Sequence, residues 1–174
     1  MFFYFLLLIF IVFADQITKW LAVILLEGKG PFYLIPDVLR FSYVENRGAA
    51  FGMLDNHRWV FLVLSTVTIL GLLIYFAVRP PKSRWVRWSL VLIIGGGIGN
   101  MIDRVLLGYV VDFIDFCAFP SLWMWVFNVA DSCVCVGVGI MIVWLICDLI
   151  RDARREKKEK AAGKTAAAGA EEKK

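Results

Sequence analysis

The sequence predicts an all-α membrane protein: a four-transmembrane-helix bundle with a small extracytoplasmic β-type unit between helices 1 and 2. The 174-residue chain is 60% hydrophobic and contains 14 Phe and 7 Trp, and its mean hydropathy is +0.74. This composition excludes an ordinary soluble domain. Four apolar stretches each approach the roughly 20 residues needed to cross the hydrocarbon core of a bilayer. We therefore predict one integral membrane domain over residues 1–150.

The four predicted spans are separated by clusters of Gly, Pro and charged residues. The first stretch has no basic N-terminal region and no small-residue cleavage site, and it stays apolar to its end. We therefore expect an uncleaved span rather than a secretory signal peptide. The predicted spans cover residues 2–26, 59–78, 88–107 and 125–150.

Basic residues predict the orientation of the bundle. The connection at 79–87 carries four cations and no acid, and a basic tail follows the fourth span at 151–174. Four spans place both segments on one side, and the positive-inside rule makes that side cytoplasmic. Both termini are then cytoplasmic, and the Ala/Gly/Lys/Glu-rich tail is expected to be disordered. The basic connection at 79–87 and the basic tail account for the net charge of +4. The charge therefore does not indicate a nucleic-acid partner, and none is expected.

The segment 27–58 is predicted to be the extracytoplasmic unit. Short runs of β-favouring residues are broken by Pro36-Asp37 and by Asn46-Arg47-Gly48, as in a small strand-and-turn unit. Many aromatic side chains suit residues 30–52 to the outer membrane surface. We expect Asn46 to lie at a bend, where its amide offers both a donor and an acceptor.

Polar side chains recur inside the spans, where an ionised group costs several kcal/mol. In the first span, Asp15 and Lys19 have the acid-first, i to i+4 order that favours a helical ion pair. A structural anchor and a part in a site remain open as interpretations of this pair. In the third span, a Gly95/Gly99 pair would permit close helix approach. Two further sets share a spacing that places each on one helix face: Asn100, Asp103 and Arg104, and Asn128, Asp131 and Ser132.

Two acids outside ordinary surface loops are the main functional candidates. Asp112 precedes Asp131 by a short, apolar, interfacial segment that can bring the two carboxylates together. Paired carboxylates share one proton, so that one acts as a base and the other as an acid. Asp115 competes with Asp112 for this role, and composition does not choose between them.

Other chemistries find less support in the sequence. There is no GxSxG, HExxH or metal-spaced Cys/His set, so neither a metal nor a cofactor is predicted. The alternative function is a proton or ion transporter that uses intramembrane carboxylates. Its expected inverted repeats are not visible, and the acids cluster toward one face. A purely structural bundle or assembly factor would leave Asp112 and Asp131 unexplained.

Five strings together resemble the signature blocks of the bacterial lipoprotein signal peptidase (signal peptidase II) family. They stand in the family's order, at the spacing that a four-span topology gives, and only the tail lies outside the resemblance. The strings are DQITK (15–19), ENRGAAFG (45–52), GGIGNMIDR (96–104), VVDF (110–113) and FNVADS (127–132).

The resemblance implies an intramembrane aspartyl endopeptidase that removes the signal peptide from prolipoproteins, cleaving on the amino side of a diacylglyceryl-modified cysteine. It implies Asp112 and Asp131 as the catalytic dyad and thereby favours Asp112 over Asp115. The expected partners are these prolipoproteins and membrane lipid. We expect a monomer in the bacterial cytoplasmic membrane, with its active site near the outer face. The remaining implied site residues bind substrate (Asn46, Asn100, Arg104 and Asn128) or support the site (Asp15, Lys19 and Asp103).

Overall fold

The computed structural model describes residues 1–47, 58–118 and 125–171. Within these ranges the chain forms four helices and one four-stranded antiparallel sheet, with the strands in the order β1-β2-β3-β4. The elements follow one another as α1 (Phe2–Leu26), β1 (Phe32–Ile35), β2 (Leu39–Asn46), α2 (Arg58–Val78), α3 (Arg84–Leu106), β3 (Val110–Phe116), β4 (Val126–Phe127) and α4 (Val129–Glu171).

Three helices are long and apolar enough to cross a membrane: α1, α3 and the 129–157 part of α4. The apolar part of α2, Leu62–Val78, is shorter. Three of the four predicted spans are therefore confirmed by length and composition. The crossing by α2, and with it the count of four, stays a prediction.

Glycines let α3 pack closely against each of the other helices. A Cβ atom added at Gly95 would lie 2.9 Å from the side chain of Ile11. Gly96 and Gly97 contact other helices in the same way. This run of glycines lowers helix propensity, but it allows the close approach of helices that a membrane bundle needs. The contacts are made by Gly95 with Ile11 of α1, Gly96 with Ala130 of α4, and Gly97 with Ile69 of α2.

The sheet is larger than the sequence predicts. Strands β1 and β2 confirm a β-type unit between the first two helices, and residues 48–57 of that unit lie outside the described residues. The segment between α3 and α4, expected to be an interfacial loop, adds β3 and β4 and completes the sheet. Its VVDFIDF run carries no turn signal, and its partner strand lies far away in sequence, so no local pattern reveals the pairing. One face of the sheet packs on α1 through Val111, Phe113 and Ala22.

The fourth helix differs from its prediction at both ends. It begins at Val129 rather than at 125, because β4 occupies Val126–Phe127. It continues to Glu171, so most of the tail that was expected to be disordered is helical. Ala, Lys, Glu and Arg are good helix formers, and a tail that extends an existing helix bears no nucleation cost.

Candidate active site

Asp112 lies on β3, where the sheet meets the ends of α1 and α3 and the start of α4. Its side chain is buried, with 1% of the residue exposed. Oδ1 accepts a hydrogen bond from Asn128 Nδ2 at 2.7 Å, and Oδ2 accepts one from Asn46 Nδ2 at 2.8 Å. Burial raises the pKa of Asp112 to about 6, and the nearby charge of Asp131 acts in the same direction, whereas the two amide donors oppose the rise.

Asp131 lies in the first turn of α4, where a carboxylate interacts favourably with the helix dipole. It forms a reciprocal cap with Asn128: the Asp131 N–H donates to Asn128 Oδ1 at 2.9 Å, and the Asn128 N–H donates to Asp131 Oδ2 at 3.2 Å. This is the capping-box arrangement, in which both residues satisfy free N–H groups at the helix start. Asp131 Oδ1 accepts a third hydrogen bond from Asn100 Nδ2 at 2.7 Å.

Asn128 joins the two carboxylates. Its fully buried amide donates to Asp112 and also to Asn100 Oδ1, at 3.1 Å, while its oxygen accepts from the backbone of Asp131. The structure therefore brings Asp112 and Asp131 together around one side chain, in a cluster whose polar atoms are all hydrogen-bonded.

Asp115, the competing acid, belongs to a different set of contacts. Its Oδ2 lies 2.6 Å from Arg40 Nε in an ion pair and accepts from the Ser42 hydroxyl at 3.3 Å. Residues three apart on a strand point to opposite faces, so Asp115 faces away from Asp112. Composition left both Asp112 and Asp115 as candidates for the pair with Asp131. In the structure, Asp112 contacts Asn128, whereas Asp115 pairs with Arg40.

Lys19 lies at the centre of a buried charge cluster. Its Nζ is 2.9 Å from Asp15 Oδ2 and 2.9 Å from Asp103 Oδ2, and it donates to Asn100 Oδ1 at 2.8 Å. The predicted i to i+4 ion pair between Asp15 and Lys19 is confirmed. Its second acid, Asp103, was not predicted as a partner, because that contact joins two different helices.

Gln16 is a member of this cluster that sequence reasoning missed. Its Nε2 donates to Asp103 Oδ1 at 2.9 Å and to the Gly99 carbonyl at 3.2 Å. The only signal was its place beside Asp15 in the first resembling string. Among the residues that the structure describes, no group of three or more His, Cys, Asp or Glu side chains is arranged to hold a metal ion.

The two acids of the cluster hold the elements that carry the site. Asp15 Oδ1 accepts the N–H of Ala130 at 2.9 Å, which fixes the start of α4 against α1. Asp103 Oδ2 accepts the N–H of Val111 at 3.1 Å, which fixes β3 against α3. Asp15 is thus hydrogen-bonded to the residue before Asp131, and Asp103 is hydrogen-bonded to the residue before Asp112.

Arg104 differs from its expected pairing. The sequence suggested that it neutralises Asp103, but Asp103 pairs with Lys19 instead. Arg104 Nη1 donates to the Asn100 carbonyl at 3.3 Å, and no carboxylate in the described part of the chain lies within ion-pair distance of it. Its guanidinium interacts over a longer distance with the charges of Asp131 and Asp112.

Asn46 is not at a bend, and that prediction is wrong. It is the last residue of β2 and pairs with Val110 in the β2–β3 ladder. The ladder places it beside the strand that carries Asp112, to which its amide donates. Because Val110 and Asp112 are two residues apart on β3, the Asn46 side chain and Asp112 share one face of the sheet.

Fold and site together define a helical, membrane-type protein with a paired-carboxylate centre. Residues 7–147 match the family model of signal peptidase (SPase) II, and the chain belongs to this family. The lipoprotein signal peptidase of Caldanaerobacter subterraneus subsp. tengcongensis is 50% identical over 132 residues, which are 76% of this chain and 88% of that protein. The lipoprotein signal peptidase of Halalkalibacterium halodurans is 40% identical over 159 residues, 91% of this chain and 99% of that protein.

A solved structure has the same fold. It is a bacterial membrane enzyme determined by the in meso method at 2.3 Å resolution, with a TM-score of 0.76 and 32% identity, covering 86% of this chain and 90% of that one. The family resemblance drawn from five short strings is thereby confirmed.

Proposed function

We propose that this chain is an intramembrane aspartyl endopeptidase that removes signal peptides from prolipoproteins, cleaving on the amino side of a diacylglyceryl-modified cysteine. Membership of the signal peptidase II family supports the peptidase activity, and the names of the relatives support lipoproteins as substrates. The observation that carries the mechanism is the convergence of two buried carboxylates, Asp112 and Asp131, on Asn128.

The dyad performs hydrolysis without a metal. The ionised carboxylate takes a proton from water as the water oxygen bonds to the peptide carbonyl carbon, and the protonated carboxylate donates a hydrogen bond to the carbonyl oxygen. The tetrahedral intermediate then collapses: the C–N bond breaks and the leaving nitrogen receives a proton from the dyad. Proton affinities belong to the pair rather than to either acid alone.

The surrounding hydrogen bonds support a proposed role for each acid. The Lys19 ammonium can only donate, so Asn100 must present its oxygen to Lys19 and its Nδ2 to Asp131. That donor, the Asn128 N–H and the helix dipole stabilise negative charge on Asp131, which makes it the base. Asp112, whose pKa burial raises to about 6, holds a proton more readily than an ordinary carboxyl group and is the proposed acid.

Arg104 and Asn46 are proposed to bind the substrate backbone. Arg104 is partly exposed beside the dyad, and its remaining guanidinium N–H groups suit a peptide carbonyl. Asn46 lies beside the dyad, where its Nδ2 donates to Asp112 at 2.8 Å. The apolar faces of the helices leave the diacylglyceryl chains in the bilayer.

The test compares three isosteric variants on a diacylglyceryl-modified lipobox peptide. Asp112→Asn and Asp131→Asn should each lower kcat/KM at least about a thousandfold, as loss of an essential catalytic group does. Asp115→Asn, the matched control on the same strand as Asp112, should stay within a few-fold of wild type. Unfolding temperatures in detergent identify variants that fail to fold. Equal loss in the Asp115 variant would contradict the assignment of the dyad.

A further inference from the structure

A second candidate binding site lies far from the carboxylates, along α4. It is a groove of about 440 Å³ on the surface of the bundle, with Trp85 of α3 on one wall. Twenty residues separate Asp131 from Arg151, which closes the groove, so at 1.5 Å per residue the two lie about 30 Å apart. The groove is therefore no part of the active site. Its α4 wall includes Val136, Ile140, Val143, Cys147 and Arg151.

The groove runs along one face of α4. Its residues on α4 recur every three or four positions, so they form one stripe. The apolar part of this stripe, from Val136 to Cys147, rises about 17 Å, close to the roughly 15 Å of one hydrocarbon leaflet. A Cβ atom added at Gly139 would meet no atom within 4 Å, so the missing side chain leaves open space there.

The end of the groove is cationic. Arg151 lines it, and the Arg84 guanidinium lies 5.5 Å from the centroid of the Trp85 ring, which holds a second cation beside it. Asp148 lies 3.9 Å from Arg151, but the two side chains are 44% and 61% exposed, so solvent weakens this long ion pair. Guanidinium groups bind phosphate oxygens through paired hydrogen bonds. Four cations without an acid at 79–87 add to the positive charge of this end.

We propose that the groove binds an anionic diacyl phospholipid, with one acyl chain along the α4 stripe and the headgroup phosphate between Arg84 and Arg151. The length of the apolar stripe, the open space at Gly139 and the two guanidinium groups all match that ligand. The site is independent of the proposed peptidase mechanism, because none of its residues belongs to the carboxylate cluster.

The test is native mass spectrometry of the purified protein in detergent, with equal amounts of phosphatidylglycerol and phosphatidylcholine added. Wild type should retain one phosphatidylglycerol, at least fivefold in preference to phosphatidylcholine. Arg151→Gln should abolish this preference, and Gly139→Leu, which fills the groove, should abolish retention.

Two matched variants keep the test specific. Arg154→Gln removes the same charge one turn further along α4, and Val138→Leu adds bulk at a position of α4 that is 40% exposed and outside the lining of the groove. Both should retain lipid as wild type does, and unchanged unfolding temperatures show that all four variants fold. Equal effects of the two arginine variants, or equal retention by the Gly139 and Val138 variants, would overturn the proposal.

Discussion

The orientation of side-chain amides decides the electrostatics of the carboxylate pair. Asn100 lies between an ammonium group and a carboxylate, so its oxygen and its nitrogen each have one chemically permitted direction. Asn128 is fixed in the same way, since its oxygen caps α4 while its nitrogen faces Asp112. An Asp at either position would place a third negative charge against the dyad, which explains why amides occupy both.

The raised pKa of Asp112 predicts how its replacement changes stability with pH. The folded state binds this proton up to about pH 6, whereas the unfolded chain releases it near the ordinary carboxyl pKa of 3.8. Between these values the folded state holds more protons, so the stability contributed by Asp112 falls as pH rises, by up to about 3 kcal/mol. Asp112→Asn cannot titrate and escapes this loss.

The measurement is the unfolding temperature in detergent at pH 4 and pH 7.5. The difference between Asp112→Asn and wild type should move in favour of the variant at the higher pH. Val110→Ala, a neutral core change on the same strand, should lower the unfolding temperature equally at both values. A difference for Asp112→Asn that does not vary with pH would contradict a buried carboxyl with a raised pKa.

Among the helices, α3 is expected to tolerate substitution least. A Cβ at Gly96 would collide with the carbonyl oxygen of Ala130, in the backbone turn of α4 that carries Asp131. Gly96→Ala should therefore cost about 1–3 kcal/mol of stability, as overpacking does, and reduce cleavage by shifting Asp131 relative to Asp112. Thermal unfolding and kcat/KM on a lipidated peptide are the two measurements.

Gly71→Ala is the control for this change. Nothing lies within 4 Å of a Cβ at Gly71 of α2, so the added methyl meets open space and should raise helix stability by up to about 1 kcal/mol. Should the Gly96 variant prove as stable and active as the Gly71 variant, the close approach of α3 and α4 would not be required.

Local signals in the sequence predicted the helices and the pair Asp15–Lys19, because hydropathy and the i to i+4 spacing act within a few turns. Contacts between distant segments were not accessible in this way. The β2–β3 pairing joins Asn46 to Val110, and the Lys19–Asp103 ion pair joins α1 to α3. Turn-forming composition after Asn46 suggested a bend at this residue, but pairing with Val110 keeps Asn46 in β2.

Over the whole molecule, charge divides between the two ends of the bundle. The buried carboxylates lie where α3 ends and α4 begins, and the acid-free cation run at 79–87 lies where α3 begins. Since cation-rich short connections stay on the cytoplasmic side, the carboxylate site should open toward the outer face.

Cysteine accessibility tests this orientation and the number of spans together. Asp37 lies in the turn between β1 and β2, and Ser83 lies just before α3. Within the described residues between these two positions, α2 is the one long helix. If α2 crosses the membrane despite its shorter apolar part, the two positions lie on opposite sides.

In a parent with the four native cysteines replaced by Ala, Asp37→Cys should react with an impermeant maleimide in intact spheroplasts. Ser83→Cys should react only after permeabilisation. Labelling of both positions from outside would exclude the crossing by α2, and labelling of Ser83→Cys alone would reverse the orientation.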